Sequence, residues 1–113
     1  MNAAKRIFLL SPFWSKRADF YRDLANAIDD RELLRDFVEG EWRIATHPAT
    51  ADKKKAAVLG YMRQLMDSGV TSVEQVLERI MPSADAMSLS VVADAKNKAA
   101  ALRFVADNVE QQK

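Results

Sequence analysis

Apolar residues in this chain return every three or four positions, and no stretch alternates convincingly with period two. That rhythm favours helices and leaves little material for a sheet. Glycine and proline, the usual punctuation of loops and hairpins, occur three times each in 113 residues. Six helical segments follow.

The first runs from an N-cap at Ser15 to about Asp29, with Phe20, Leu24 and Ile28 on one stripe. The second opens near Asp29-Asp30, whose carboxylates suit a helix N-terminus. It carries Leu33, Leu34, Phe37, Val38, Trp42 and Ala45 and stops at His47-Pro48, because a residue before proline avoids the α region. Gly40 inside it costs about 1 kcal/mol relative to alanine. The third follows Thr50, with Asp52 in its first turn and Ala57, Val58, Tyr61, Met62, Leu65 and Met66 inward. Gly69 then supplies a left-handed stop.

The fourth segment opens on the capping-box pattern Thr71-Ser72-Val73-Glu74. It carries Val73, Val76, Leu77 and Ile80 and closes at Pro82. The fifth follows Ser83 with Met87, Val91, Val92 and Ala95, and the sixth follows Asn97 with Leu102, Val105, Ala106 and Val109. Short connections favour antiparallel neighbours. The expected fold is therefore all-α, an antiparallel helical bundle of about six helices. One domain is expected over 1–113, with 1–15 a leader and 16–110 the bundle. A chain this long can bury roughly 65% of its unfolded surface, enough for one core.

Charge is nearly balanced, formally +1, which does not point to nucleic acid. Its distribution is regional. Residues 1–17 hold Lys5, Arg6, Lys16 and Arg17 and no acid, whereas residues 18–43 hold eight acids against four arginines. No run is long and apolar enough to span a bilayer. Ile7-Phe8-Leu9-Leu10 is too short for a secretory signal and has no small-residue cleavage site after it. Phe8 to Trp14 either tucks into the core, the commoner fate, or forms an exposed hydrophobic anchor.

Candidate chemistry is sparse. With no cysteine, a disulfide framework and a thiolate site are excluded. His47 is the only histidine and lacks the spacing of a metal site or a catalytic dyad, so it reads as an exposed loop residue. There is no glycine-rich phosphate loop or serine elbow. The expectation is a non-enzymatic domain with no catalytic residue, cofactor or metal.

Asp29, Asp30, Glu32, Asp36, Glu39 and Glu41 cluster but lack the alternating oxygens and central glycine of a calcium loop. They read first as a solvated face with pairs such as Glu39–Arg43. Lys53-Lys54-Lys55 reads likewise. If charge serves binding, Asp36, Glu39 and Glu41 are the candidate acidic partner surface and Lys53, Lys54 and Lys55 the basic one. Met62, Met66, Met81 and Met87 read as core filler.

Phe20-Tyr21-Arg22-Asp23-Leu24-Ala25-Asn26-Ala27-Ile28, then Leu33-Leu34 and Phe37-Val38, resembles the opening helix pair of the GspF/PilC-type inner-membrane platform proteins. Those proteins belong to type II secretion systems and type IV pilus machines. Leu65 to Leu77, through Gly69 and Thr71-Ser72, resembles the family's glycine turn, polar cap and apolar helix. Met81-Pro82 stands where that family often has Phe-Pro, and Leu102 to Ala106 is similar to its closing helix. The likeness covers roughly residues 17–110. Asp30-Arg31 occupies the place of the family's glycine between the first two helices. Asp94 to Lys98 replaces a Gly-Glu pair and a further glycine. These departures suggest a divergent branch such as type IVb or conjugative thin pili.

The resemblance implies the N-terminal cytoplasmic domain of a platform protein at the cytoplasmic face of the bacterial inner membrane. Its implied partners are the assembly or secretion ATPase and other inner-membrane assembly proteins. Self-association is compatible with that role, nucleic acid is not expected, and membrane attachment would come from segments after residue 113. The competing reading is a free-standing helical adaptor or DNA-binding regulator, with Gly69 between two helices. Against it, the helix from Val73 to Met81 carries Glu74 and Glu78 and a single base, Arg79.

Overall fold

The computed structural model describes residues 16–70, 72–82, 85, 87 and 97–111, and among these every regular element is helical. We number the helices α1 (Arg17–Asp29), α2 (Leu34–Thr46), α3 (Lys53–Asp67), α4 (Val73–Ile80) and α5 (Lys98–Gln111). The described helices number five rather than six. The expected fifth segment, with Ser83, Val91, Val92 and Ala95, lies outside the described residues apart from Asp85 and Met87, both of helical backbone. Met87 is 70% exposed, so it is not core filler, whereas Met62, Met66 and Met81 are buried. Phe8 to Trp14 and the expected caps Ser15 and Thr71 also lie outside the described residues.

Each helix start strands backbone N–H groups, and short polar side chains meet some of them. The Asp52 carboxylate accepts from the Lys55 N–H at 3.1 Å, Ser72 Oγ from Gln75 at 3.1 Å, and Asn97 Oδ1 from Ala100 at 3.1 Å. The expected cap Thr50 is displaced by Asp52. The Thr50 hydroxyl instead donates back to the Ile44 carbonyl at the end of α2. The capping residue of α4 is Ser72, one place after the Thr71 of the expected box.

Two helix ends share one geometry. At α3, Val70 N–H donates to Leu65 O and Gly69 N–H to Met66 O, with Gly69 at φ +104°. At α1, Glu32 N–H donates to Ala27 O and Arg31 N–H to Ile28 O, with Arg31 at φ 59°. Both are Schellman turns, which place one residue in the left-handed region. The second turn breaks the chain over residues 30–33, so α2 begins at Leu34 and not at Asp29-Asp30.

Side-chain pairs fix how the helices run. Arg22 bonds Asp107 and Glu110, and Arg103 bonds Asn26 and Asp29, so α1 and α5 are antiparallel. Arg35–Asp67, Glu39–Arg63 and Glu41–Lys55 order α2 against α3 in the same opposed sense. Phe20 of α1 meets Phe37 of α2 edge-on, ring centroids 6.1 Å apart. The α1–α5 and α2–α3 contacts are the broadest. Tyr21, Leu24, Leu59, Met62, Ile80 and Leu102 lie within one core cluster. The radius of gyration is 13.2 Å, close to the roughly 13 Å of a compact chain of this length.

One polar cluster is sealed inside. Arg17 and Asp85 are 3% and 5% exposed. The Arg17 Nε stands 2.8 Å from Asp85 Oδ2, and the Tyr21 hydroxyl donates to the same oxygen at 2.7 Å. Burial, then the Asp85 charge and hydrogen bond, push the Tyr21 phenol far above its ordinary value against the opposing Arg17. The cluster fastens α1 to the helical backbone at Asp85.

Candidate functional site

The acidic stretch between residues 29 and 41 is divided between two neighbouring helices and a groove. Asp29 faces α5, where Arg103 meets it at 2.7 Å. Glu39 and Glu41 face α3, pairing with Arg63 at 2.8 Å and Lys55 at 2.7 Å. The expected Glu39–Arg43 pair is replaced by Glu39–Arg63, and the Arg63 guanidinium also lies 4.8 Å from the centre of the Trp42 ring. Asp30 and Glu32 face neither helix. With Asp23 they line a groove between α1 and α2.

The groove is open to solvent and offers about 400 Å³ of space. Asp23, Asp30, Glu32 and Glu41 supply its carboxylates, while Phe37, Gly40 and Ile44 line it from α2. Glu41 is neutralised by Lys55. Among the described residues, no ion pair engages Asp23, Asp30 or Glu32. Desolvation against the wall holds the Asp23 carboxyl above its ordinary value; nearby Lys55 opposes this, and Glu41 and Asp19 add to it.

The α2 side is apolar in register. Phe37, Gly40 and Ile44 follow at three- and four-residue steps, and Leu33 at the N-cap continues them. Ile44 is 53% and Leu33 69% exposed, although Leu33 shares the helical spacing of the buried Phe37. A Cβ built on Gly40 would meet nothing within 4 Å, whereas one on Gly60 would meet the Trp42 ring at 3.3 Å. Gly60 is thus explained by the chain's own packing and Gly40 is not.

Of the six charged residues expected to bind a partner, Glu39, Glu41 and Lys55 spend their charge inside the domain. Asp36, Lys53 and Lys54 are exposed and form no ion pair among the described residues. Asp23, Gly40 and Ile44 were not singled out as site residues by the sequence, because helical period shows which residues share a face but not which faces leave a cleft. His47 is exposed, and its Nδ1 accepts from the Ala49 N–H at 3.0 Å. Helix α4 directs Val76, Leu77 and Ile80 inward and exposes Glu78 and Arg79, a pair of opposite charges rather than a basic strip.

Among the described residues, no group of three or more acids and histidines could hold a metal ion, and no helix is long and apolar enough to cross a membrane. Comparisons with protein-family models, curated proteins and solved structures return no match.

Proposed function

We propose that this domain is a non-enzymatic protein-binding platform: the cytoplasmic domain of a GspF/PilC-type inner-membrane protein, coupling an assembly ATPase to pilus assembly or secretion. The observation that carries the binding role is the α1–α2 groove, which sets Asp23, Asp30 and Glu32, in no ion pair among the described residues, beside the exposed Ile44. A folded domain gains nothing from such a surface alone, and exposed apolar area rimmed by charge is the usual form of an interaction site. The opposed α1–α5 and α2–α3 pairs support an antiparallel bundle. The resemblance supplies the partner class and the cytoplasmic face of the inner membrane, with attachment through segments beyond residue 113.

Docking of the ATPase would use Asp36, Lys53 and Lys54, which are exposed and form no ion pair among the described residues. The test is calorimetric titration of the domain with the assembly ATPase of its own system. Asp36→Lys and the pair Lys53→Glu/Lys54→Glu should weaken binding while leaving stability within about 0.5 kcal/mol, and the loss should shrink at high salt. No binding by the wild-type domain would refute the platform role. Unchanged binding by both variants would remove these three residues from it.

A further inference from the structure

We infer that the α1–α2 groove receives a basic amphipathic helix of a protein partner, seated over Gly40 with its apolar side against Phe37 and Ile44 and its lysines or arginines toward Asp23, Asp30 and Glu32. The inference rests on the protein-binding role proposed above and names the chemistry of the bound segment. Three features converge on it.

The first is charge. Asp23, Asp30 and Glu32 line one cleft and form no ion pair among the described residues, Lys55 being engaged by Glu41, so a cation brought to them is attracted. A second copy meeting the groove through the same surface would set these acids against each other, which disfavours a symmetric dimer here.

The second is shape. Ile44 is exposed in the groove beside Gly40 and the buried Phe37, and Leu33, outside the groove lining, is exposed on the same side of α2; an amphipathic helix lays its apolar face into such a groove. The third is Gly40. Glycine lowers helix propensity by about 1 kcal/mol, yet among the described residues nothing lies within 4 Å of where a Cβ on Gly40 would stand. A backbone seated from outside would need that space.

The experiment uses the full chain and a synthetic amphipathic helix of leucine and lysine, followed by fluorescence anisotropy. Its counterpart carries glutamate for lysine. The lysine peptide should bind, the glutamate peptide should not, and affinity should fall as ionic strength rises from about 0.01 to 1 M and the screening length shrinks from roughly 30 to 3 Å. Gly40→Leu, which fills the floor, and Glu32→Lys should each weaken binding by roughly tenfold or more. Glu78→Lys makes the same charge change on exposed α4 and should leave it unaltered. Urea melts of each variant separate lost binding from lost fold.

Equal binding of both peptides, or equal effects of Glu32→Lys and Glu78→Lys, would overturn the inference. So would a dimer abolished by Gly40→Leu, or peptide binding seen only after deletion of residues 1–15, which would give the groove to that segment. Gly40→Leu that binds the assembly ATPase unchanged, alongside a wild-type groove that ignores the lysine peptide, would overturn this inference and leave the platform role intact.

Discussion

The Arg17 guanidinium and the Asp85 carboxylate meet at 2.8 Å inside the protein, both almost wholly removed from solvent. Two desolvated charges are not by themselves a source of stability, since their mutual attraction must first offset the cost of leaving water. Their value is positional. The Tyr21 hydroxyl shares the same carboxylate oxygen, so α1 is held by two side chains one turn apart.

Removal of the carboxylate alone should therefore be severe. Asp85→Ala is expected to cost about 3–5 kcal/mol in a urea melt, because it takes a counter-charge from a buried guanidinium. In an Arg17→Met background the same change should cost much less. Equal costs in both backgrounds would show that the two charges are not coupled. The raised Tyr21 pKa has its own signature. A group whose folded pKa exceeds its unfolded value contributes stability that is complete below the unfolded value and lost as pH rises. Stability should thus fall above about pH 10, more steeply in the wild type than in Tyr21→Phe.

Arg31 should be improvable. It sits at φ 59°, where a residue with a Cβ is strained by roughly 1–2 kcal/mol, partly offset by the extra freedom glycine has in the unfolded chain. Arg31→Gly is expected to raise stability by up to about 1 kcal/mol, while Arg31→Ala, which keeps the strain, should give no gain. A loss in the glycine variant would mean that the Arg31 side chain contributes more than its backbone costs.

Asp52 makes stability depend on acid pH. Burial alone would raise its pKa, but the Lys16 ammonium, bonded at 2.9 Å, and the Lys55 N–H bring it below the usual carboxylate value. A depressed folded pKa contributes stability above the unfolded value, lost as pH falls through the folded one. Asn keeps the cap but not the charge. Asp52→Asn should be less stable than wild type by a few tenths to about 1 kcal/mol at neutral pH, with the gap closing below about pH 3. A gap that persists there would assign it to packing instead.

What the sequence discloses and what it conceals divide along one line. Gly69 announces its left-handed turn because glycine is the residue that adopts that conformation freely. Arg31 makes the same turn with no compositional signal, and α2 was consequently expected to begin four or five residues early. The stripe Phe20–Leu24–Ile28 is legible from period alone, and Phe20 and Leu24 are buried with Ile28 packed against the core. The bond between Tyr21 and Asp85, 64 residues apart, leaves no trace in either neighbourhood. Arg17 accordingly read as part of a basic start rather than as a buried ion. Leu33 shows the same limit from the other side: it keeps helical spacing with the buried Phe37, yet at the N-cap of α2 it is exposed.

The two helical glycines offer the sharpest comparison, since they share a chemistry and differ in surroundings. Alanine gains about 1 kcal/mol over glycine within a helix. At Gly40 an added Cβ enters open space, so Gly40→Ala should gain most of that amount. At Gly60 the Cβ would stand 3.3 Å from Trp42 Cζ3, and Trp42 carries the Arg63 guanidinium on its ring. The indole must give by a few tenths of an ångström, and the pair Arg63–Glu39 resists that movement. Gly60→Ala should therefore gain clearly less than Gly40→Ala, or lose stability outright. Urea melts of both variants decide the order. Equal gains would show Trp42 to be free to shift. A destabilised Gly40→Ala would show that the fold itself requires this glycine, which would remove the reason for looking outside the chain for what occupies the space above it.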